Sequence, residues 1–390
     1  MKQILPNLKE LNKHLKFVKK SVSGAGFRHI QQYLDGLITL NHKTVKRISE
    51  ASIEENHHSG ISRILAISDF EAGELENRYL KKIKFILKGH KKYLLFDDTL
   101  NIREGKSVEE TQYHHDHNSN SFVKGHQYFT SMIFTEYAQF PLFPKLYSCN
   151  TDNKIEMAKD IVDKAIESIG IYGVLFDSWY SDKKIMNKCI AKGVKVICAI
   201  KTNRKVSFRR GEWLPLAKFS KNQTFDENTI YLIDDEEFIV NEYLAKLKSM
   251  PDVKLIISRI RDRKSREFHS PFHLISTDKN DTIVNIIREY SYRWNIETFH
   301  RDIKQNLGFA SCMARKKEVI VSHSILVVIA YAILKLFMFF RGLTMTIGEC
   351  CKYIQDNEMN NFIQEIVEIE DRAERMEYFQ RVFKRETAKV

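Results

Sequence analysis

A stretch near residue 300 combines a phenol, two cations and one carboxylate at spacings that suit one helix. At helical pitch Tyr290, Arg293, Glu297 and Lys304 fall within an arc of roughly 60°. The opposite side is apolar at helical spacing, at Ile296, Phe299, Ile303 and Leu307. The pattern predicts a helix that packs on a core and presents reactive groups on its polar face. For this window alone, an exposed ladder of charged pairs is the alternative.

Two more carboxylates follow short apolar runs upstream. Residues 93–96 lead into Asp97 and Asp98, and residues 173–176 lead into Asp177. Apolar runs of this length are typical of strands buried on both faces, where a terminal carboxylate is costly unless it is paired or bound to metal. The two strand-end aspartates and the helix glutamate are therefore a set of side chains that could bind a metal ion.

The three segments, in this order, resemble the DDE transposases of bacterial insertion sequences, in the group with the Tyr-x2-Arg-x3-Glu-x6-Lys (YREK) pattern. The stretch 290–304 matches that pattern at every spacing, and the DDT of 97–99 and the DSWY of 177–180 are similar to the group's two aspartate segments. The resemblance implies a transposase that binds the ends of an insertion sequence, cleaves the DNA and transfers the strands.

Three carboxylates in one polar pocket repel each other, and hard divalent cations relieve this best, so Mg²⁺ or Mn²⁺ is expected. Two such ions about 4 Å apart can activate a water and stabilise the departing 3′ oxygen of a phosphodiester. We expect Asp97, Asp177 and Glu297 to hold both ions. Asp98 is a rival for the first position, although the family's D-x-T order favours Asp97.

Other candidates would contact DNA. We expect Tyr290, Arg293 and Lys304 to position the phosphate and the strand near the cut. The resemblance leaves open a hairpin intermediate in which an aromatic side chain stabilises a flipped base, and Trp179 and Trp294 are the tryptophans near the site. Either tryptophan could equally well be a residue of the hydrophobic core. The resemblance also implies a homodimer, because two element ends must be held together.

Composition agrees with a polyanionic partner such as double-stranded DNA. The chain has 390 residues, 43% of them hydrophobic, a formal net charge of +12 and a sequence pI of about 9.2. This predicts two or three domains with a sizeable core, although ribosomal and membrane-surface proteins are basic too. The charged start lacks a secretory pattern and the six cysteines are scattered, so we expect a cytoplasmic bacterial protein associated with the nucleoid.

One segment, 319–340, is nearly long and apolar enough to span a membrane. Three polar residues at 322–324 and Lys335 interrupt it, and the sequence offers no second candidate. We therefore predict a helix that is buried in the core and lies next to the Glu297 helix.

The order of elements between residues 81 and 200 is strand, hairpin, helix, strand, helix, strand, which indicates a mixed α/β sheet. The resemblance implies a ribonuclease-H-like core with a β-rich insertion and helical terminal regions. We divide the chain into a helical DNA-binding domain (1–85), the first part of the core (86–202), the insertion (203–277), the second part of the core with the glutamate helix (278–345) and a helical C-terminal tail (346–390), whose role stays open.

The N-terminal region has the outline of a helix-turn-helix. Gly36 separates two apolar-periodic stretches, and a basic segment follows at 41–47. A helical bundle with a solvated basic edge is the alternative. Within the core, a polar loop is predicted at 101–125, with the cluster His114–His117 contacting DNA or moving near the site. Zinc is the weaker interpretation, since adjacent ligands reach one ion poorly.

The insertion is predicted to hold short strands at 229–233, 237–240, 253–260 and 272–276. Its cations suit sequence-independent contacts with DNA phosphates, with solubility as the alternative, and they are Arg204, Lys205, Arg209, Arg210, Arg259, Arg261 and Lys264. Two other classes remain for the whole chain: a catalytically silent DNA-binding protein derived from a transposase, and a ribonuclease-H-like, structure-specific nuclease that cuts without joining.

Overall fold

The fold comes from a computed structural model, which describes residues 8–52, 58–67, 73–103, 105, 107–116, 120–209 and 211–383. His117 of the histidine cluster and Arg210 of the insertion lie outside these ranges. So do residues 1–7 and 384–390 of the two predicted terminal regions.

The N-terminal region consists of helices. They are α1 (Lys9–Asn12), α2 (Lys16–Lys19), α3 (Gly24–Thr39), α4 (Val45–Ala51), α5 (His58–Ile67) and α6 (Glu74–Ile86). Ser23 and Thr44 begin α3 and α4, because their hydroxyl oxygens accept hydrogen bonds from the backbone N–H groups of Gly26 and Arg47. Each cap satisfies a donor that the first helical turn leaves free.

Gly36 lies inside α3, so the predicted break at this residue is wrong. The helix continues to Thr39, and residues 40–44 form the turn before α4. The glycine serves a close approach between helices instead: a Cβ atom at this position would lie 2.5 Å from Cγ1 of Ile48, the buried residue of α4. Gly36 therefore allows α4 to pack tightly on α3.

The variant Gly36→Ala is expected to lower the free energy of unfolding by about 1–3 kcal/mol, because the added methyl group pushes Ile48 out of its packed position. Gly24→Ala in the same helix is the matched control, since nothing lies within 4 Å of a Cβ atom there. Urea unfolding followed by circular dichroism measures both. Equal stabilities of the two variants would contradict the close contact between α3 and α4.

A mixed sheet of 13 strands lies at the centre of the described chain. Its first part comprises β1 (Tyr93–Ile102), β2 (Gln112–Asp116), β3 (Ser121–Phe134), β4 (Gln139–Pro141), β5 (Lys145–Tyr147), α7 (Lys154–Ser168), β6 (Gly173–Phe176), α8 (Lys183–Ala191) and β7 (Lys195–Ala199). β1 runs antiparallel to β3 and parallel to β6, which is parallel to β7. Every residue of β6 is buried, which explains its continuous apolar sequence.

The predicted polar loop at 101–125 is wrong in its centre, because β2 pairs there with the first part of β3. These strand residues are polar and partly exposed, so the hydrophobic alternation that indicates a strand is missing. The second strand of the predicted hairpin is divided into two strands, β4 and β5, which pair with the last part of β3. Pro144 lies between them, and a proline cannot donate to a sheet ladder.

The predicted insertion contains strands in all four predicted segments, and they extend the same sheet. Its elements are β8 (Lys205–Ser207), β9 (Leu214–Pro215), α9 (Leu216–Lys221), β10 (Tyr231–Ile233), β11 (Glu236–Leu247), β12 (Asp252–Ile260) and β13 (Phe272–Ser276). β13 pairs antiparallel with β7, so the strand order β3-β1-β6-β7 continues as β13-β12-β11-β8-β9. The insertion is therefore joined to the rest of the sheet by backbone hydrogen bonds.

The remaining elements are helices: α10 (Ile283–Ser291), α11 (Trp294–Asn306), α12 (Lys317–Arg341), α13 (Ile347–Glu368) and α14 (Arg372–Phe383). Within the described residues, α12 alone is long and apolar enough to cross a membrane, and 89% of its most apolar 18-residue window is buried inside the structure. It packs against α1, α3, α5, α11 and β4. As predicted, α12 is a core helix beside the one that carries Glu297.

The stretch 290–304 forms two helices rather than the single predicted one. α10 ends at Ser291 and α11 begins at Trp294. In the turn between them the backbone tightens to i→i+3 hydrogen bonds, from Arg293 N to Tyr290 O and from Ile296 N to Arg293 O. Tyr290 therefore belongs to a different helix from Glu297 and Lys304. The prediction of a single helix is wrong for this reason, although Arg293 still lies over the ring of Tyr290 and donates a hydrogen bond to Glu297.

Candidate active site

Asp97 and Asp177 lie at the same level of two neighbouring strands. β1 and β6 are parallel, with Leu95 opposite Leu175, so the chain reaches Asp97 and Asp177 two residues later on each strand. Both residues follow fully buried strand segments. The register brings the two predicted aspartates together where the parallel pairing of β1 and β6 ends. Only Asp177 follows the end of its strand, because β1 continues beyond Asp97 to Ile102, so the predicted strand-end position of Asp97 is wrong.

The carboxyl group of Asp97 is in an unfavourable environment for a charge. Burial, reinforced by repulsion from Asp177, raises its pKa to about 7. The Asp98 backbone N–H, 2.8 Å from Oδ1, and the Arg293 guanidinium compensate the charge only in part. A carboxyl group of this kind suits a site that gains from an additional cation.

Arg293 connects the first aspartate to the glutamate. Its Nη1 atom lies 3.6 Å from Oδ2 of Asp97, and its Nη2 atom donates a hydrogen bond of 2.6 Å to Oε1 of Glu297. The guanidinium also lies over the ring of Tyr290, 5.8 Å from its centroid. Arg293, in the tight turn between α10 and α11, thus contacts one residue of each helix and one residue of β1.

Among the described residues, no three His, Cys, Asp or Glu side chains stand close enough together to hold a metal ion. The guanidinium of Arg293 lies between the carboxylates of Asp97 and Glu297 and pairs with both. The donor set itself fits a hard cation, because it contains carboxylate oxygens and one carboxyl whose charge is incompletely compensated.

Asp98 faces different partners from those of Asp97. Its Oδ2 atom lies 2.7 Å from Nζ of Lys154, and its Oδ1 atom accepts a hydrogen bond of 2.7 Å from the hydroxyl of Tyr180. Both side chains of the ion pair are largely buried. Asp98 therefore ties β1 to α7 and to the loop after β6, a role that leaves Asp97 as the better candidate for the first ligand position.

Lys304 and His300 extend the site along α11. Lys304 donates a hydrogen bond of 3.0 Å to the carbonyl of Leu100, three residues beyond Asp97 on β1. His300 Nε2 lies 2.6 Å from the hydroxyl oxygen of Thr130, and that hydroxyl donates to the carbonyl of Asp97 at 2.9 Å. Burial lowers the pKa of His300 to about 3, so the imidazole is neutral. The sequence predictions missed His300 and Thr130, although His300 lies one turn after Glu297.

The two tryptophans differ in their surroundings. Trp294, next to Arg293, is 62% exposed, and Trp179 is 45% exposed. The ammonium group of Lys154 lies over the Trp179 ring, 5.0 Å from its centroid. Neither tryptophan is a core residue, so this alternative is wrong. Trp294 has the more accessible indole for a base to stack on.

The histidine cluster belongs to β2 and does not form a metal site within the described residues. His114 is buried, and burial lowers its pKa. The ring of His115 packs edge-on against Phe122 of the paired strand β3. These contacts give His114 and His115 a packing role within the hairpin of β2 and β3.

The variant Asp97→Asn is expected to raise the free energy of unfolding by about 2 kcal/mol at pH 8 in EDTA. Because the folded-state pKa of Asp97 is raised, the folded protein loses stability through this group as the pH rises from about 4 to about 7. Asparagine removes the charge and keeps the oxygen that accepts from Asp98. Urea unfolding at pH 5 and pH 8 measures the effect, and an equal difference at both pH values would contradict it.

Comparison with known proteins gives two family matches. Residues 148–346 match a family described as "Archaeal putative transposase ISC1217", and residues 20–150 match a family described as "DDE superfamily endonuclease". The second match includes Asp97, and the first includes Asp177 and Glu297. The comparison with curated proteins finds no match. Among solved structures, a piggyBac transposase synaptic complex with hairpin DNA aligns over 98% of this chain and 83% of that chain, with 11% identity and a TM-score of 0.49.

Proposed function

The chain belongs to the archaeal ISC1217 transposase family and is a DDE transposase, and we propose that it cuts and joins DNA at the edge of the sheet where Asp97, Asp177 and Glu297 meet. One observation carries the proposal. Asp97 lies on β1 at the level where Asp177 follows the adjacent parallel strand, and Arg293 joins Asp97 to Glu297. The three carboxylates come from β1, from the loop after β6 and from α11.

We further propose that the central part of the fold is a ribonuclease-H-like core. The strand order β3-β1-β6-β7, with β1 and β3 antiparallel and β1, β6 and β7 parallel, supports this proposal. The glutamate enters from α11, which packs on β1 and β3. In this proposal the strands β8 to β13 are an insertion that widens the sheet before the chain returns to the site through α10.

DDE superfamily endonucleases generally use divalent metals, and we propose that Asp97, Asp177 and Glu297 together hold two Mg²⁺ ions, with Mn²⁺ as a substitute. Bound ions of this kind activate a nucleophilic oxygen and stabilise the charge on a leaving oxygen. The carboxylate oxygens suit both ions, and a cation near Asp97 offsets the repulsion from Asp177. Asp97→Asn should therefore also remove any increase in melting temperature that Mg²⁺ gives the wild type.

The other side chains bind and orient the DNA. Arg293 is the cation between two carboxylates, so its guanidinium is positioned to contact the phosphate that enters the site. Tyr290 supports Arg293 from beneath, and burial raises the pKa of its phenol, which stays protonated. Lys304 of α11 lies beside Leu100 of β1, where its ammonium can contact the next phosphate. Trp294 offers an exposed indole for an unpaired base.

The proposed substrates are the double-stranded ends of an insertion sequence and a target duplex. We propose that the chain acts as a homodimer in the complex with paired ends, in the bacterial or archaeal cytoplasm on the nucleoid. The helical region at residues 8–86 packs on α12 through α1, α3 and α5. We propose that this region grips the element end while fixed to the same core that carries the catalytic residues.

The test is an excision assay with the purified protein and a supercoiled plasmid that carries the ends of the element encoding this chain. Release of the element and its insertion into a second plasmid, in Mg²⁺ and not in EDTA, is the expected result. Binding of the ends without any cleavage would favour a silent DNA-binding protein. Cleavage without joining would favour a structure-specific nuclease instead.

A further inference from the structure

A cavity of about 510 Å³ opens beside Asp177, where β6, β7 and the start of β13 meet. Its walls are Ser178, residues 199–203 and residues 271–273. Phe272 at its rim lies 5.8 Å from the ring of Tyr290, measured between centroids. The volume is typical of a ligand site, and one wall residue, Ser178, directly follows Asp177 in the chain.

The segment after β7 is rich in cations, and the first of them, Lys201, lines this cavity. We define the cation strip as Lys201, Arg204, Lys205, Arg209, Lys218 and Lys221. All six side chains are exposed. Within the described residues, none of the six forms a salt bridge with an acidic side chain. The strip is therefore an uncompensated positive surface that begins next to the proposed active site.

Three arginines of the second group of cations in the insertion are neutralised by acidic neighbours. Arg261 and Arg266 pair with Glu237 at 2.8 and 3.1 Å, and Arg263 pairs with Glu236 at 2.7 Å. Arg259 donates hydrogen bonds to two backbone carbonyls of the turn before β13. These arginines hold the turn between β12 and β13. The structure thus separates these paired arginines from the cations of the strip. Lys264, in the same turn, is exposed and forms no salt bridge within the described residues.

Hydrogen bonds fix the cation strip to the catalytic edge. The guanidinium of Arg204 donates to the carbonyl of Ser181, in the loop that follows Asp177. The backbone N–H of Ala217 donates to the carbonyl of Thr202 at 2.8 Å. His273 Nε2 lies 2.9 Å from the hydroxyl oxygen of Ser220, which attaches α9 to β13. The loop and the helix that carry the cations are thus attached to the loop after β6 and to β13.

We propose that the cation strip binds the phosphate backbone of the DNA duplex adjacent to the cut, and that the cavity receives the strand nearest Asp177. This inference rests on the proposed function, because it assigns the surface that brings duplex DNA to that active site. Exposed, unpaired cations release counterions from DNA on binding, whereas arginines already paired with glutamates release few. In this proposal the strip provides affinity for DNA, and the nearby carboxylates take part in cutting and joining it.

Two double variants with the same change in net charge test the proposal. Lys205→Gln/Lys218→Gln removes two charges of the strip, and Arg263→Gln/Arg266→Gln removes two paired charges elsewhere. The probe is a duplex oligonucleotide that carries an element end and its flank. The slope of log K against log salt should become less steep by between about 1 and 2 for the strip variant and stay at the wild-type value for the control.

Unchanged slopes for both variants, with wild-type protein that still cleaves plasmid DNA, would overturn the cation strip and leave the proposed function intact. Equal losses of slope in both variants would also overturn it, because a general field effect would then explain the binding. Wild-type protein that neither binds nor cleaves the element ends would instead overturn the proposed function itself.

Discussion

The variant Glu297→Gln is expected to bind element ends like the wild type and to cleave them at least about a thousandfold more slowly. Glutamine has nearly the same shape as glutamate, and its side-chain oxygen can still accept the hydrogen bond from Arg293 that spans 2.6 Å in the wild type. What it loses is the negative charge. A site built to hold divalent cations depends on that charge, whereas the fold of α11 depends on its buried apolar side.

A gel-based cleavage assay and a separate binding titration measure the two properties independently. Glu318→Gln is the matched control, since it makes the same change of charge on an exposed residue at the start of α12. It should cleave at the wild-type rate. Cleavage that survives in Glu297→Gln would remove this residue from the catalytic set and leave Asp97 and Asp177 to be explained differently.

The sequence located the strands and the helix that carry the three predicted carboxylates, because strongly patterned apolar segments mark all three elements. The apolar run before Asp177 is buried completely, as its composition demands, and the run before Asp97 is buried as well. The apolar side of α11 was equally clear, since Ile296, Phe299 and Ile303 are all buried. A pattern of this kind reports burial directly, which explains why it located both strands and the core helix.

Features that depend on pairing between distant segments could not be predicted in the same way. The hairpin of β2 and β3 has polar residues on both strands, so nothing in its local pattern indicates a strand. The break between α10 and α11 was hidden because Tyr292 and Arg293 keep helical backbone angles and only the hydrogen bonds change. The contact of Gly36 with Ile48 and the contact of His300 with Thr130 each join two separate elements, so no local sequence pattern indicates them.

The choice between Asp97 and Asp98 shows the same limit. Adjacent residues on a strand point to opposite faces, and the sequence does not say which face receives α11. In the structure Asp97 faces Arg293, and Asp98 faces Lys154 and Tyr180. The partner of each aspartate comes from another part of the chain, and only the packing of those parts separates a proposed ligand from a structural ion pair.

The variant Lys195→Met is expected to lower the free energy of unfolding by about 3–5 kcal/mol, because it leaves two buried carboxylates without a cation. Lys195 lies at the start of β7, and its ammonium is 2.8 Å from Asp281 and 2.5 Å from Glu289. All three side chains are at most 10% exposed. Burial opposes the charge on Lys195, but its bonds to the two carboxylates outweigh burial and raise its pKa.

The position of this ion triad explains why its loss should also reach the active site. Asp281 immediately precedes Thr282, which caps α10, and Glu289 lies on α10 one residue before Tyr290. Lys195 therefore attaches α10 to the first residue of β7, whereas Asp177 follows the last residue of the neighbouring strand β6. Loosening α10 displaces the turn that places Arg293 between Asp97 and Glu297, so the variant should lose cleavage even at temperatures where it stays folded.

The triple variant Lys195→Met/Asp281→Asn/Glu289→Gln separates the cost of unpaired charge from a general packing defect. It removes all three charges, so most of the lost stability should return. Urea unfolding of wild type, single and triple variants measures the difference. A triple variant as unstable as the single one would mean that the volume of the lysine side chain, and not its charge, holds α10 in place.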